Sequence, residues 1–320
     1  MRAVVHRKYG PPEVLHLVDV DTPTPAANEV LVKVHATTVN RTDTGFRAGK
    51  PIIVRPFSGL LRPRRQTLGS EFAGEVAAVG ADVTHFAVGD RVFGSVGDRF
   101  GANAQFMVVR ETAPIALIPD GMSFEEAAAV TDGSLLALNC MRGAGITAGQ
   151  RVLVYGASGS IGTAAVQLAK HLGTHVTAVC ATPNLELARS LGADVVIDYT
   201  AEDFTENGEQ YDIIFDSVGK HKFRLCRRSL APKGTYLGTD LGFLCQNPFL
   251  ALVTKLSRGR RVVFPIPKFR QADVEMLKEL LETGHLRPVV DRIYPLEQIV
   301  EATRYVDTQM KVGNVVITVA

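Results

Sequence analysis

The stretch VNRTD, residues 39–43, sets an amide, a guanidinium, a hydroxyl and a carboxyl in succession on Asn40, Arg41, Thr42 and Asp43. It breaks the alternating apolar run EVLVKVHAT where a strand of that pattern should end. Groups of these types at a strand end can hold a metal, poise a proton, or only cap and turn the chain through Asx-type hydrogen bonds. The residues alone leave all three open for Asn40 and Asp43.

The strongest local signal is VLVYGASGSIG, in which Gly156, Gly159 and Gly162 lie between an apolar strand and the start of a helix. Glycines at this spacing permit a tight turn, let the backbone approach a pyrophosphate, and aim the helix N-terminus at its charge. Gly156, Ala157, Ser158, Gly159, Ser160, Ile161 and Gly162 are therefore candidates for binding a dinucleotide. The next strand, HVTAVC, ends on Cys180, at the interval where an acid grips the ribose hydroxyls of NAD. A neutral thiol neither holds those hydroxyls well nor repels a 2′-phosphate, so NADPH is expected over NADH. Ala181 offers a backbone N–H and Thr182 a hydroxyl. Tyr199 either covers the adenosine phosphate or packs at its strand end.

These groups need a scaffold, and the chain changes character along its length. Residues 1 to about 120 carry strand-like runs (RAVVH, EVLVKVHA, GEVAAVG, RVFGSV, QFMVVR) between Gly, Pro and Asp turns. At Ser123 a capping box with Glu126 opens a helical stretch, AAAVTDGSLLALNCM. From residue 151 apolar strands alternate with amphipathic helices, which predicts a parallel, doubly wound sheet. A helix over QADVEMLKELLETG precedes a strand–helix–strand tail that is expected to rejoin the first domain. The expected domains are thus 1–122 with 285–320, β-rich, and 123–284, cofactor-binding.

Composition narrows the function. At 320 residues two domains can each bury a core without disulfides. Cys140, Cys180, Cys226 and Cys245 form no CxxC pair and follow no secretory leader, so they read as reduced thiols in a cytoplasm. No apolar run reaches the ~20 residues of a spanning helix. Thirty-five Lys and Arg against 33 Asp and Glu leave a net charge of +2, which argues against nucleic acid and for a small-molecule partner. His171 and His175 have no metal-ligand spacing and read as ordinary residues.

The ordered motifs LGSEFAGEVAAVG, GDRVFG, GASGSIG, DSVG and GNVVI resemble the medium-chain dehydrogenase/reductase superfamily over essentially the whole chain. That resemblance implies an α/β protein with a Rossmann cofactor domain, a doubly wound parallel sheet, and a β-rich GroES-like catalytic domain. In the superfamily's zinc alcohol dehydrogenases a catalytic zinc is held by a Cys in a Cys-x-Thr-Asp stretch, a His in Gly-His-Glu, and a Cys or acid upstream of the glycine loop. Asn40, Ser70 and, by counting back from Gly156, Thr131 stand at those places here. An amide and two hydroxyls do not supply what zinc requires, so no metal is expected. The lobe for a structural zinc is missing too, since GDRVFG runs through SVGDRFG into AQFMVV.

These departures point to a zinc-free branch, similar to quinone oxidoreductases and enone or alkenal reductases. The resemblance implies hydride transfer from NADPH to an electron-poor carbon of a small electrophilic substrate, with the proton from solvent. In such a site Asn40 suits a hydrogen bond to the developing enolate oxygen, and Asp43 would orient it or pass a proton. It also implies cofactor contacts for Thr131, for Asp216, Ser217, Val218 and Gly219 at the nicotinamide ribose, and for Lys311 and Asn314 from the catalytic domain. Gly238 and Phe264 fall where the family lines the nicotinamide pocket, and Phe264 is equally suited to core or dimer-edge packing. The apolar RRVVFPIP near the expected sheet edge predicts a homodimer through the cofactor domain. The basic loop RPFSGLLRPRRQT, with Arg62, Arg64 and Arg65, is either a lid or a solvated loop. RGRR, with Arg258, Arg260 and Arg261, reads as solvated. Two rivals remain: a metal-free alcohol or aldehyde dehydrogenase, and a non-catalytic nucleotide-binding sensor or structural protein.

Overall fold

The structure, a computed structural model, describes residues 1–52, 55–242, 246–256 and 259–319, so Cys245 and Arg258 lie outside the described residues. From the N-terminus run β1 (Arg2–Val5), β2 (His16–Asp19), the long β3 (Glu29–Val39), α1 (Arg41–Ala48) and the short α2 (Arg55–Ser58). Then come β4 (Glu71–Val79), β5 (Arg91–Ser95), β6 (Phe106–Arg110), β7 (Ile115–Leu117), α3 (Phe124–Ala129) and α4 (Thr131–Ala144). An alternating series follows: β8 (Arg151–Tyr155), α5 (Ser160–His171), β9 (His175–Cys180), α6 (Leu185–Ser190), β10 (Val195–Asp198), β11 (Tyr211–Asp216), α7 (Phe223–Cys226), β12 (Leu230–Gly238), α8 (Gln246–Thr254) and β13 (Arg261–Val263). Last are α9 (Gln271–Glu282), β14 (Val290–Pro295), α10 (Ile299–Asp307) and β15 (Asn314–Thr318). Among the described residues no helix is long and apolar enough to cross a membrane.

The chain divides into two compact units, Met1–Asp132 with Phe269–Ala320, and Gly133–Lys268. These limits differ from the expected 1–122 with 285–320 and 123–284, because α3 and α9 pack on the first unit's sheet. Ala127, Ala128 and Ala129 of α3 are buried, and Phe124 stacks on His35 of β3 with ring centroids 4.3 Å apart. Gln271 at the head of α9 hydrogen-bonds the backbone of Ile115 in β7 through both amide atoms. The Ser123–Glu126 capping box is present, but a helix start is a local event and does not mark where the core changes. The helix expected through this region breaks at Val130 into α3 and α4.

In the first unit β3 is the spine. It pairs antiparallel with β4, β6 and β15 in a seven-stranded sheet whose path runs β14-β15-β3-β4-β5-β7. Alternation sends Val30, Val32 and Val34 into a core shared with Phe72, Val92, Val315 and Ile317. That core fixes where β3 ends, and thereby where Asn40 stands.

In the second unit six parallel strands lie in the order β10-β9-β8-β11-β12-β13. The chain winds outward from β8 to β10, then restarts at β11 on the other side, which is a doubly wound sheet with its switch point between β8 and β11. Val152, Leu153 and Val154 are all fully buried, as expected for a strand covered on both faces.

The glycine loop joins β8 to α5. Gly156 takes φ +78°, a left-handed conformation that Gly adopts without strain. A Cβ on Gly162 would stand 2.0 Å from the carbonyl oxygen of Gly156, whereas one on Gly159 would meet only that oxygen at 3.6 Å. Gly162→Ala should therefore destabilise the protein by about 1–3 kcal/mol through overpacking. Gly159→Ala should cost clearly less in the same denaturant titration. Equal losses would mean that the loop relaxes around the added methyl.

Candidate functional site

The polar run after β3 turns out to start a helix. Asn40 is the N-cap of α1, its Oδ1 accepting the N–H of Asp43 at 3.0 Å while Asp43 Oδ2 accepts the N–H of Asn40 at 3.0 Å. Asp43 Oδ1 takes a second backbone donor, Gly69 N–H, at 3.1 Å. Gly69 has φ +92°, and a Cβ there would lie 2.6 Å from the backbone nitrogen of Asn103. A residue that must be glycine thus carries the chain past Asp43 and delivers Ser70 to Asn40.

Around this junction lies a buried polar cluster. Asn40 Nδ2 donates to Ser70 Oγ at 2.8 Å and to Asp132 Oδ2 at 3.1 Å. The Asp132 N–H donates to Glu71 Oε2 at 2.6 Å, and Thr38 Oγ1 donates to Glu71 Oε1. Burial pushes Asp43 up to about 7. Burial and then the neighbouring Asp132 charge push Glu71 up to about 8, and burial raises Asp132 to about 6. Lys311 is drawn down to about 8 by burial, against the pull of Glu71, and its Nζ donates to the Gly313 carbonyl. The cluster is therefore a set of carboxyls that burial favours in the neutral form.

Three expectations change. Both oxygens of Asp43 accept backbone N–H groups and the residue is buried, a geometry that orients Asn40. Thr131 is buried with its hydroxyl on the Ala127 carbonyl, and the side chain that reaches Asn40 is the next residue, Asp132. Counting back from Gly156 missed it by one position, and no alternation in a short helix start could have corrected the count. Both amide protons of Asn40 have protein acceptors, the cap reading and the donor reading being combined in one side chain.

In the second unit the carboxyl ends of the strands gather the cofactor candidates. Gly156 and Ala157 N–H both donate to the Val179 carbonyl at 3.0 Å, and α5 opens on Gly159 with no side-chain cap. Ala157 is buried, while Ser158, Ser160 and Ile161 are half-buried. Ser217 Oγ donates to the Tyr155 carbonyl at 2.8 Å, and Val218 lies so close to Gly156 that a Cβ there would be 2.7 Å from its Cγ1. Asp216 is buried and pins the turn, accepting the N–H groups of Val218, Gly219 and His221 and the Tyr236 hydroxyl. Gly238 pairs beside Asp216 in the sheet, and Phe264 follows β13, half-buried. Lys311 and Asn314 belong to the first unit, where Asn314 Nδ2 donates to the Val289 carbonyl at 3.2 Å.

The ribose end differs from expectation. Cys180 is only 1 % exposed and burial pushes its thiol up to about 11, so its side chain packs inward. What reaches the surface at this edge is Ala181, Thr182 and Tyr199, together with Asp198, an acid arriving from β10 in register with Cys180. Asp198 accepts hydroxyls from Thr182 and Thr200 and the Thr200 N–H, which hold its carboxyl below the usual range. Register between two strands cannot be read from one interval along the chain.

A nicotinamide dinucleotide fits this cradle: a glycine turn, an uncapped helix start, and a Gly159 where a Cβ would make only an ordinary contact, 3.6 Å from the Gly156 carbonyl oxygen. Zinc does not fit the first unit's cluster. The oxygens of Asp43 and Glu71 are engaged by backbone N–H groups and the Thr38 hydroxyl, which leaves the Asp132 carboxyl, the Ser70 hydroxyl and an Asn40 amide oxygen that already accepts the Asp43 N–H. Among the described residues no group of three or more His, Cys, Asp or Glu could hold a metal ion.

Comparison with known proteins agrees with this architecture. The family profile "Alcohol dehydrogenase GroES-like domain" matches residues 26–120, and "Zinc-binding dehydrogenase" matches residues 191–317. A quinone oxidoreductase of Pseudomonas aeruginosa is 33 % identical over 327 residues, covering 97 % of this chain and 97 % of the relative. The chain belongs to the medium-chain dehydrogenase/reductase superfamily, in its quinone oxidoreductase-like branch. The chloroplastic NADPH-dependent alkenal/one oxidoreductase of Arabidopsis thaliana is 30 % identical over 334 residues, covering 99 % of this chain and 79 % of that one. The solved quinone oxidoreductase of Coxiella burnetii superposes with a TM-score of 0.89 at 29 % identity, covering 100 % of this chain and 99 % of that one. Branch membership brings a nicotinamide cofactor and leaves the compartment open, since relatives include an organellar enzyme.

The raised carboxyls give the stability of this branch member a definite pH dependence. Glu71 goes from an ordinary 4.5 when unfolded to about 8 when folded. Between these values the folded state holds more protons, so stability falls as pH rises. Below the unfolded value the contribution is fully present; above about 8 it is lost. Glu71→Gln should flatten this slope in denaturant titrations between pH 5 and 8. An unchanged slope would place the titration elsewhere.

Proposed function

We propose that the chain is a zinc-independent, NADPH-dependent reductase of quinones or α,β-unsaturated carbonyls. The observation that carries this reading is the Asn40–Ser70–Asp132 group, where amide and hydroxyl donors take the place of metal ligands. Donors of this kind can stabilise a developing enolate oxygen but polarise an unactivated carbonyl weakly, which favours substrates already electron-poor.

When bound, the cofactor supplies a hydride at its nicotinamide ring. Residues 156–162 and the start of α5 hold its pyrophosphate, and Ala181, Thr182 and Tyr199 its adenosine end. The turn of Asp216, Ser217, Val218 and Gly219, with Gly238 and Phe264, borders the nicotinamide ribose. Of Asn40's two amide protons, the one on Ser70 is held at 2.8 Å and the one on Asp132 at 3.1 Å. The second is the one that a substrate oxygen takes over, while the Asp43 capping pair keeps the amide aimed. The carbon is protonated from solvent. Edge strand β13 suits pairing with a second copy, giving a homodimer through the cofactor domain.

A turnover panel tests this. The purified protein should oxidise NADPH with quinones and 2-alkenals and leave saturated aldehydes untouched, with activity surviving a chelator. Comparable kcat/KM on saturated aldehydes would establish the dehydrogenase rival; no turnover on any class would leave the sensor reading.

One observation favours NADH: the ionised Asp198 at the ribose edge, which would repel a 2′-phosphate. We keep NADPH because Thr182 and Thr200 hydroxyls engage that carboxylate. Asp198→Asn should raise the NADPH/NADH ratio of kcat/KM by about tenfold if Asp198 lies beside the ribose. A ratio left where it was would remove Asp198 from the cofactor site.

A further inference from the structure

Residues 44–70 contain six cationic side chains, Arg47, Lys50, Arg55, Arg62, Arg64 and Arg65, and no acid. Two are used internally: Arg47 pairs with Asp307 at 3.0 Å, and the Arg55 guanidinium lies 5.0 Å from the centre of the Tyr9 ring. Arg62, Arg64 and Arg65 are exposed, and the described residues give none of them an acidic partner. In a protein of net charge +2 this is a local concentration of unbalanced positive charge.

The loop that carries them is tied down on both sides. Tyr9 Oη donates to the Gly59 carbonyl at 2.5 Å and shares a 2.7 Å hydrogen bond with Ser58 Oγ, while Arg64 N–H returns to the Ser58 carbonyl at 2.7 Å. Gly59, at φ +120°, could not carry a Cβ, which would fall 2.0 Å from the Arg62 carbonyl oxygen. On the far side Gln66 is held through its carbonyl by the His6 N–H at 2.8 Å. Pro63 is buried between the exposed Arg62 and Arg64. The result is a shaped loop that displays three guanidinium groups beside Leu60 and Leu61, which are 65 % and 90 % exposed.

Four residues past Arg65 the same chain supplies Gly69 N–H to Asp43, and Ser70 follows with its hydroxyl on Asn40. Five extended residues span at most roughly 17 Å. Arg64 and Arg62, six and eight residues from Ser70, lie within roughly 21 and 28 Å by the same bound, so the arginines stand within the reach of a long-chain substrate bound at the Asn40–Ser70–Asp132 group. We infer that Arg62, Arg64 and Arg65 select electrophilic substrates that carry an anionic group, carboxylate or phosphate, at the end of a chain remote from the reducible bond. Guanidinium forks match both anions, Leu60 and Leu61 offer apolar surface to the intervening chain, and a focused positive field raises encounter rates. This inference rests on the reductase reading above.

The test compares a straight-chain 2-alkenal with the same alkenal ending in a carboxylate and with one ending in a phosphate. Turnover of the uncharged alkenal by the wild-type protein tests the reductase reading by itself. The inference predicts a kcat/KM ratio, charged over uncharged, of about tenfold or more at low salt, falling as ionic strength rises. Replacing the three arginines by Gln should bring the ratio close to one, and replacing them by Lys should retain most of it. The relative size of the carboxylate and phosphate ratios tells which anion is preferred. A wild-type ratio near one, or a ratio the Gln variant leaves unchanged, overturns the inference. So does a rise in KM for NADPH that is the same with every alkenal, which would assign the arginines to the cofactor's phosphates.

Discussion

The geometry of the first unit's site depends on one carboxylate. The Asp43 carboxylate accepts two backbone donors, the Asn40 N–H at the start of α1 and the Gly69 N–H of the incoming strand, while its own N–H donates to Asn40 Oδ1 and orients that amide. A buried carboxyl without hydrogen bonds would be strongly unfavourable, so the folded chain must bring both backbone donors to it. That requirement sets the angle between the end of β3 and the approach to β4. Asn40, Ser70 and Asp132 then meet as a consequence.

What was legible in the sequence followed from local rules. Alternation in EVLVKVHAT, the strand–glycine–helix order at residues 151–162 and the βα series after it predict elements that formed, because period-2 and glycine-turn signals are read within ten residues. VNRTD was readable as a cap or a site, and Asn40 is a cap whose amide also enters the polar cluster. At Cys180 and Thr131 the side chains point elsewhere than their positions suggested, for a common reason. Each was assigned by counting along one strand or helix, and a count says nothing about which way a side chain points. Cys180 closes β9 yet packs inward, and Asp198 presents its carboxyl at that edge from the neighbouring strand. Thr131 turns back on Ala127 and leaves Asp132 to face Asn40.

The domain limits illustrate the same distinction at larger scale. Ser123 caps a helix as its sequence announces, but α3 buries three alanines against the first unit's sheet, so it belongs with the strands that precede it. A boundary belongs to the cores, and these are assembled from contacts far apart in sequence: β15 joins β3 through Val315 and Val39, some 276 residues apart.

The cluster that remains where the superfamily's metal ligands would be is not an empty relic. Glu71 is fully buried with both oxygens engaged, by the Thr38 hydroxyl and the Asp132 backbone, and burial keeps it protonated well into the neutral range. A neutral carboxyl adds no charge to oppose a second carboxyl nearby, so Asp132 can sit beside it and still accept from Asn40. Were Glu71 ionised, Asp132 would be driven to hold its own proton more tightly and would accept less strongly from the amide. The hydrogen-bonded state of the Asn40 amide thus depends, through Asp132, on the protonation of Glu71.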